Sequence, residues 1–182
     1  RKRYPNINIE EFLNSVNITT YQVADEGHWF TQNQVNLFQE KLSQITNNEN
    51  IAREAGRFSA SPGAIGLMRP YILGMIGPSK TFELLGKATK KFTKSAEYES
   101  REIAPSKVEI RVTPRPGVQE RPFQCQNRIG FFEAVTMIFT NKPAQIDHPE
   151  CIFRGGNCCR YIVSWEKTFS DGFIRGIVES LD

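Results

Sequence analysis

The chain of 182 residues has the length of one domain and can bury a substantial core. Hydrophobic residues make up 39% and charged residues 24%, which are globular values and exclude disorder as the default. A net charge of +3 is too small to predict nucleic-acid binding, and four cysteines are too few for a disulfide scaffold. No apolar run approaches the ~20 residues that cross a bilayer, so we expect a domain of the reducing cytoplasm.

The first half of the chain has helical patterns. Residues 8–16 have a short helical pattern, with acidic residues in its first turn. Thr31 is a suitable N-cap for a second helix, in which apolar residues recur at helical spacing. These residues are Val35, Phe38, Leu42 and Ile45. Gly56 is predicted to end a third helix.

Two further helices are predicted from proline start signals. Ser61-Pro62 and Gly77-Pro78 each place a proline where a helix would begin, because the first helical turn tolerates proline. The second of these helices has one apolar face, which is lined by Phe82, Leu85, Ala88 and Phe92.

The second half of the chain adds strands. Residues 107–113 alternate between apolar and polar side chains, which predicts a half-buried strand. Residues 127–139 are apolar on nearly every side and predict a buried helix, and residues 169–182 predict a terminal amphipathic helix. The order predicts an α+β fold, in which N-terminal helices pack on a small antiparallel sheet that ends in a Cys-rich β-hairpin.

Residues 148–165 read HPECIFRGGNCCRYIVSW and hold three of the four cysteines. The glycines at 155–156 lie between two strand-like runs, which predicts a two-residue hairpin turn. Because side chains alternate along a strand, Cys158 and Cys159 should point to opposite faces, with Cys151 on the face of Cys158. The predicted cross-strand pairs are Phe153 with Cys158 and Ile152 with Cys159.

A zinc ion would need four convergent ligands in this stretch. The available set is His148, Glu150, Cys151 and one of the two adjacent cysteines. A regular hairpin does not aim three thiolates at one metal, although a β-bulge could, and the Cys-x-x-Cys spacing of zinc knuckles is missing. Buried free cysteines are the favoured interpretation, since cysteine packs as a small hydrophobe; a zinc site comes second and a redox pair third.

Four stretches together resemble one known family. ECIFRGGNCCRYIVSWE, HWFTQNQVNLF, NIAREAGRFSAS and QNRIGFFEA are similar to the 4-vinyl reductase-like small-molecule-binding sensor domain, over most of residues 20–166. That domain shares a superfamily with haem nitric-oxide-binding domains and TRAPP Golgi-transport subunits. The similar version stands at the N-terminus of bacterial multidomain signalling proteins such as sensor histidine kinases.

The resemblance implies helices packed on an antiparallel sheet around a ligand cavity. It also implies a metal position at Glu150, Cys151 and Cys158, since family members can carry zinc on cysteine and acidic ligands. Haem-binding relatives use a helical histidine and a Tyr-x-Ser-x-Arg motif. Here YESR at 98–101 is one residue short, and no histidine lies between His28 and His148. We therefore expect no cofactor: zinc stays open, and haem is not expected.

The leading hypothesis is a ligand-sensing regulatory domain of a bacterial signal-transduction protein, without catalysis of its own. Residues 1–166 would form the sensor, and residues 167–182 a connecting helix toward an output module of a longer parent chain. A small apolar or aromatic ligand is expected between helices and sheet. Its predicted lining residues are Met68, Tyr71, Ile72, Met75, Phe82, Phe131, Phe132 and Met137.

Two alternatives belong to other classes. One is an enzyme with zinc-bound water or a cysteine nucleophile, and the other is a dimerisation or assembly module without a cavity. The apolar stripe of residues 169–182 must dock on its own domain, on a second copy of the chain or on the following module. We expect a homodimer, with a helix folded back on its own core as the alternative. Neither nucleic-acid binding nor membrane insertion is expected.

Overall fold

The computed structural model describes residues 4–59, 77–88 and 93–166. Within these residues the helices are α1 (Ile9–Ser15), α2 (Thr20–Ala24), α3 (Gln32–Thr46), α4 (Ile51–Ser59), α5 (Gly77–Ala88) and α6 (Phe123–Thr140). The strands are β1 (Ala96–Ala104), β2 (Lys107–Pro114), β3 (Gln145–Glu150) and β4 (Cys159–Ser164). This confirms the predicted α+β fold. None of the described helices combines the length and apolar character that a membrane span requires.

The N-terminal helices begin at side-chain caps. Thr31 accepts a hydrogen bond from the Gln34 amide while the Gln34 side chain accepts one from the Thr31 amide, as expected of an N-cap for α3. Thr19 and Gln22 form the same capping box on α2, a short helix that we did not predict. These helices share a small core of their own. Its buried residues are Leu13, Val16 and Ile18, with Phe12, Phe30, Leu37 and Phe38 packed against them.

Helices α4 and α6 cross in direct backbone contact. A Cβ atom on Gly56 would lie 2.0 Å from the Asn127 carbonyl oxygen, and one on Gly130 would lie 1.9 Å from the Arg53 carbonyl oxygen. The prediction that Gly56 ends a helix is therefore wrong, since α4 continues to Ser59. Glycine stands at position 56 because a second backbone passes there.

An ion-pair cluster flanks this crossing. The Glu133 carboxylate of α6 is buried and accepts hydrogen bonds from Arg53 and, at 2.6 Å, from Arg57 Nε. Burial acts to raise the pKa of Glu133, but the hydrogen bonds from the two arginines outweigh it and lower that pKa. Glu133 therefore stays ionised and joins α4 to α6.

Replacing Glu133 with glutamine should destabilise the fold by about 2 kcal/mol at pH 7, because two arginines lose a buried carboxylate partner. The folded-state pKa is depressed, so the contribution exists above the unfolded pKa of about 4.3 and is lost as pH falls through the folded pKa. Urea denaturation at pH 7 and pH 3 measures the difference. Glu97→Gln, at an exposed carboxylate 3.8 Å from Arg115, is the control and should cost less than about 0.5 kcal/mol. If Glu133→Gln loses the same free energy of unfolding at pH 7 and at pH 3, this account is contradicted.

The sheet is antiparallel throughout, with strand order β1-β2-β4-β3. The predicted alternation in β2 is confirmed, because its apolar side chains and the inward side chains of β4 form the main core against α5 and α6. These residues are Val108, Ile110, Val112, Cys159, Tyr161 and Val163. Glu109 points to the other face, where Arg101, Arg111 and Arg160 cover it. Strand β1 was not predicted, since of its nine residues only Ala96 is buried.

The hairpin between β3 and β4 differs from the prediction. A 3-10 helix at Ile152–Arg154 and a longer loop replace the two-residue turn, and Gly155, with φ of +83°, ends that helix. The Cys151 carbonyl accepts hydrogen bonds from the amides of Arg154 and Gly156, each at 2.9 Å. Strand pairing therefore begins with Glu150 opposite Arg160, and the predicted pairs of Phe153 with Cys158 and Ile152 with Cys159 do not form.

Candidate metal centre

Four side chains from separate elements meet between α6 and the sheet. Cys125 lies in the first turn of α6, His148 lies on β3, Cys151 follows β3, and Cys159 begins β4. One ligand atom from each of the four lies within 4.8 Å of all the others. The three cysteines are buried and His148 is partly buried. This arrangement can hold one metal ion.

The sulfur spacing fits a tetrahedral zinc site. The Sγ atoms are 3.7 Å apart between Cys125 and Cys159, 3.9 Å between Cys125 and Cys151, and 4.0 Å between Cys151 and Cys159. Zn–S bonds of ~2.3 Å at tetrahedral angles place sulfurs about 3.8 Å apart. All three cysteines are free thiols rather than disulfides.

A β-bulge aims the hairpin ligands at one point. The register of β3 against β4 shifts between Asp147 and Glu150, which puts His148 and Cys151 on the inner side together with Cys159. The His148 ring stacks on Tyr161 at 4.2 Å with an interplanar angle of 15°. Its Nε2 atom is buried and has no hydrogen-bond partner among the described residues. A buried imidazole nitrogen without a partner is a natural metal ligand.

The thiols are electrostatically unequal. The Sγ–Sγ hydrogen bond between Cys125 and Cys159 lowers the pKa of Cys159 and raises that of Cys125, because the proton stays on Cys125. Cys159 Sγ is also stabilised as a thiolate by the Ile152 amide. The thiolate is the form that binds a metal, and the lowered pKa of Cys159 favours that form.

Of the three metal positions implied by the resemblance, the cluster contains only Cys151. The Glu150 carboxylate instead accepts hydrogen bonds from the backbone amides of Asn157 and Cys158, at 3.1 and 3.4 Å. Cys158 precedes the inward-facing Cys159 and does not join the cluster. Glu150 and Cys158 lie outside this cluster, and the metal position at Glu150, Cys151 and Cys158 stays a prediction. His148 belongs to the set considered from sequence, whereas Cys125 was missed, because it stands 26 residues before Cys151 on another element.

The predicted apolar ligand site is only partly described. Phe82, Phe131 and Phe132 lie in one core, with ring centroids 5.9 Å apart for Phe82 and Phe132 and 6.1 Å apart for Phe131 and Phe132. Met137 is 50% exposed on α6. Four predicted lining residues lie outside the described ranges, and they are Met68, Tyr71, Ile72 and Met75. The apolar ligand site stays a prediction.

No protein-family model and no curated protein sequence matches the chain. Solved structures do match its fold. An H-NOX protein from S. oneidensis in the Fe(II)NO ligation state aligns with a TM-score of 0.67 at 12% identity, over 86% of this chain and 87% of that chain. An oxygen-binding H-NOX domain related to soluble guanylate cyclases aligns with a TM-score of 0.66 at 16% identity, over 92% and 93%.

This chain has the H-NOX fold. A mutant H-NOX from T. tengcongensis agrees, with a TM-score of 0.67 at 17% identity over 93% of this chain and 92% of that chain. At 12–17% identity these likenesses show the fold alone. The more specific resemblance to the 4-vinyl reductase-like domain and the TRAPP subunits stays a prediction.

The neighbours correct our prediction about cofactors. One further matching structure is described by its haem redox potential and an H-NOX structure by haem distortion, so these structural neighbours carry haem. This contradicts the expectation of no cofactor and of no haem. Both histidines of the chain are described: His28 lies edge-on to Phe30 at 4.7 Å, and His148 lies in the thiol cluster. Neither histidine lies on a described helix, so neither matches the helical histidine ligand that the resemblance describes for haem-binding relatives.

Proposed function

We propose that this chain is a ligand-sensing regulatory domain whose sensing element is a zinc–thiolate centre at Cys125, His148, Cys151 and Cys159. The observation that carries the proposal is the convergence of four buried or partly buried donors within 4.8 Å. Thiolate and imidazole ligands in tetrahedral array favour zinc over magnesium or calcium, which take oxygen ligands.

The centre favours regulation over catalysis. A catalytic zinc keeps one position open for water, whereas four protein ligands close the coordination shell. The ligands also join the start of α6 to the β3–β4 hairpin across 34 residues of chain between Cys125 and Cys159. Metal binding therefore stabilises the packing of α6 on the sheet, and metal release removes that stabilisation.

Oxidation provides a physical signal. Two thiolates of the centre can give two electrons to hydrogen peroxide and form a disulfide, while peroxide takes two protons and leaves as two water molecules. Zinc is then released, because a disulfide is not a zinc ligand of this kind. The 3.7–4.0 Å sulfur separations mean that little movement is needed.

The sequence resemblance supports a wider setting for this domain. We infer a bacterial signalling protein in the reducing cytoplasm, with an output module such as a histidine kinase in the same parent chain and a homodimeric state. The second proposed signal is a small apolar or aromatic molecule that binds near Phe82, Phe131 and Phe132, where the core is aromatic. An enzyme that uses zinc or cysteine, and a pure assembly module, are the alternatives.

Metal analysis of protein purified under reducing conditions tests the proposal. We expect one zinc per chain, and we expect hydrogen peroxide to release it as one disulfide forms, followed with a chromogenic zinc indicator and by mass spectrometry. Cys158→Ser should bind and release zinc as the wild type does, since Cys158 lies outside the cluster. Protein that carries no zinc and takes up none on titration contradicts the proposal.

A further inference from the structure

A buried arginine lies on the same helix as a proposed ligand. Arg128 follows Cys125 by three residues on α6, so both side chains lie on one side of the helix. Arg128 is 6% exposed, and among the described residues no other lysine or arginine is buried. Its Nε donates to Tyr98 Oη at 2.9 Å, and its Nη2 donates to Glu120 Oε1 at 2.5 Å.

The sheet register places this guanidinium near the thiols. Tyr98 on β1 pairs with Val112 on β2, and Val112 pairs with Cys159 on β4. Tyr98 and Cys159 therefore lie in one row across the sheet, about 10 Å apart at the usual strand spacing. Arg128 contacts Tyr98 from α6, and Cys125 contacts Cys159 from the same helix. The arginine and the thiols occupy one buried layer.

The charges in that layer require compensation. A zinc ion with three thiolates and one imidazole carries a net charge of −1, and the Glu120 carboxylate, buried in the same region, carries another. Arg128 is permanently positive and lies where both negative groups are buried. Arg128 Nη1 and Glu120 Oε2 also lack hydrogen-bond partners among the described residues, so each side chain has one polar atom that the ion pair does not use.

We propose that Arg128 is a positioning residue of the metal centre, whose charge stabilises the anionic zinc–thiolate complex while Glu120 and Tyr98 hold it in place. This inference rests on the proposed zinc centre. Groups just outside a metal's ligands commonly tune its affinity by ~10–100-fold. If Arg128 acts through its charge, replacing Arg128 and replacing Glu120 should change the zinc affinity in opposite directions. If the pair is purely structural, both replacements should weaken zinc binding.

The test is zinc affinity, measured by competition with a chromophoric chelator in four proteins. We expect Arg128→Met to weaken zinc binding by about 10–100-fold and Arg128→Lys to remain within about threefold of the wild type. Glu120→Gln keeps an acceptor oxygen for Arg128 Nη2 and removes a competing negative charge, so it should bind zinc as tightly as the wild type or more tightly. The absorption of the cobalt-substituted proteins should show the same thiolate ligation in all four.

Two results overturn the inference. One is wild-type affinity in Arg128→Met, and the other is equal weakening by Glu120→Gln and Arg128→Met or Lys, which identifies a structural pair. If Arg128→Met does not fold, Arg128→Gln replaces it, because it also removes the charge but keeps a donor for Tyr98 and Glu120, and the same weakening of zinc binding is expected. If the wild-type protein binds no zinc, both the proposed function and this inference are wrong. If the wild type binds zinc and replacing Arg128 does not change the affinity, only this inference is wrong.

Discussion

Replacing Cys125 with serine is expected to abolish tight zinc binding and, with it, the zinc-dependent part of the protein's stability. Cys125 supplies the one ligand from α6, while the other three belong to the β3–β4 hairpin and its loop. Without it, zinc no longer joins helix to sheet, and a neutral serine hydroxyl does not replace a thiolate. We expect the dissociation constant for zinc to rise by at least about 1,000-fold, which corresponds to about 4 kcal/mol.

The measurement is the thermal unfolding midpoint with bound zinc and with excess chelator. The wild-type midpoint should fall on chelation, because a ligand that binds only the folded state stabilises it. The midpoint of Cys125→Ser should not respond to the chelator. Cys158→Ser is the matched control, a cysteine outside the cluster, and should respond as the wild type does. If Cys125→Ser keeps the wild-type response, Cys125 is not a zinc ligand.

The second large effect is expected at the crossing of α4 and α6. In Gly130→Ala the new Cβ atom would stand 1.9 Å from the Arg53 carbonyl oxygen and 3.0 Å from the Arg57 amide nitrogen. Both are backbone atoms of a helix and do not move aside as a flexible side chain would. The helices must separate, which breaks the packing around them, and we expect a loss of about 3 kcal/mol or more.

Gly86→Ala is the control for this substitution. Gly86 also lies inside a helix, α5, but its added Cβ would meet Ser100 Cβ at an ordinary 3.4 Å. Alanine favours a helix over glycine by about 1 kcal/mol, so this variant should be neutral or more stable. Urea denaturation of the two variants measures the contrast. Equal stabilities for Gly130→Ala and Gly86→Ala contradict the close helix crossing.

Local patterns predicted the elements that local forces determine. Thr31 begins α3 because its side chain satisfies a free amide within three residues, and β2 forms because its apolar side chains alternate. The same logic was available for α2, where Thr19 and Gln22 have the capping-box spacing. Strand β1 could not be found in this way. It lies at an edge of the sheet and most of its side chains are polar, so the alternation of burial over residues 96–101 has no matching alternation of apolar and polar residues in the sequence.

Long-range contacts account for the errors. Gly56 has the sequence signal of a helix end, but its reason is the backbone of α6, which arrives from over seventy positions later in the chain. The metal cluster also depends on contacts between distant parts of the chain. Strand geometry predicts opposite faces for Cys158 and Cys159, and a bulge could bring the thiols together, but nothing in the sequence demands one. The 3-10 helix and the contribution of Cys125 depend on how α6 docks on the sheet, which no local spacing encodes.

X-ray absorption at the zinc edge tests the central claim most directly, because it counts the atoms bound to the metal. Zinc-loaded wild-type protein should show three sulfur neighbours at about 2.3 Å and one nitrogen at about 2.0–2.1 Å. A ligand shell of oxygen and nitrogen atoms, or one with fewer than three sulfurs, would contradict a centre formed by Cys125, His148, Cys151 and Cys159.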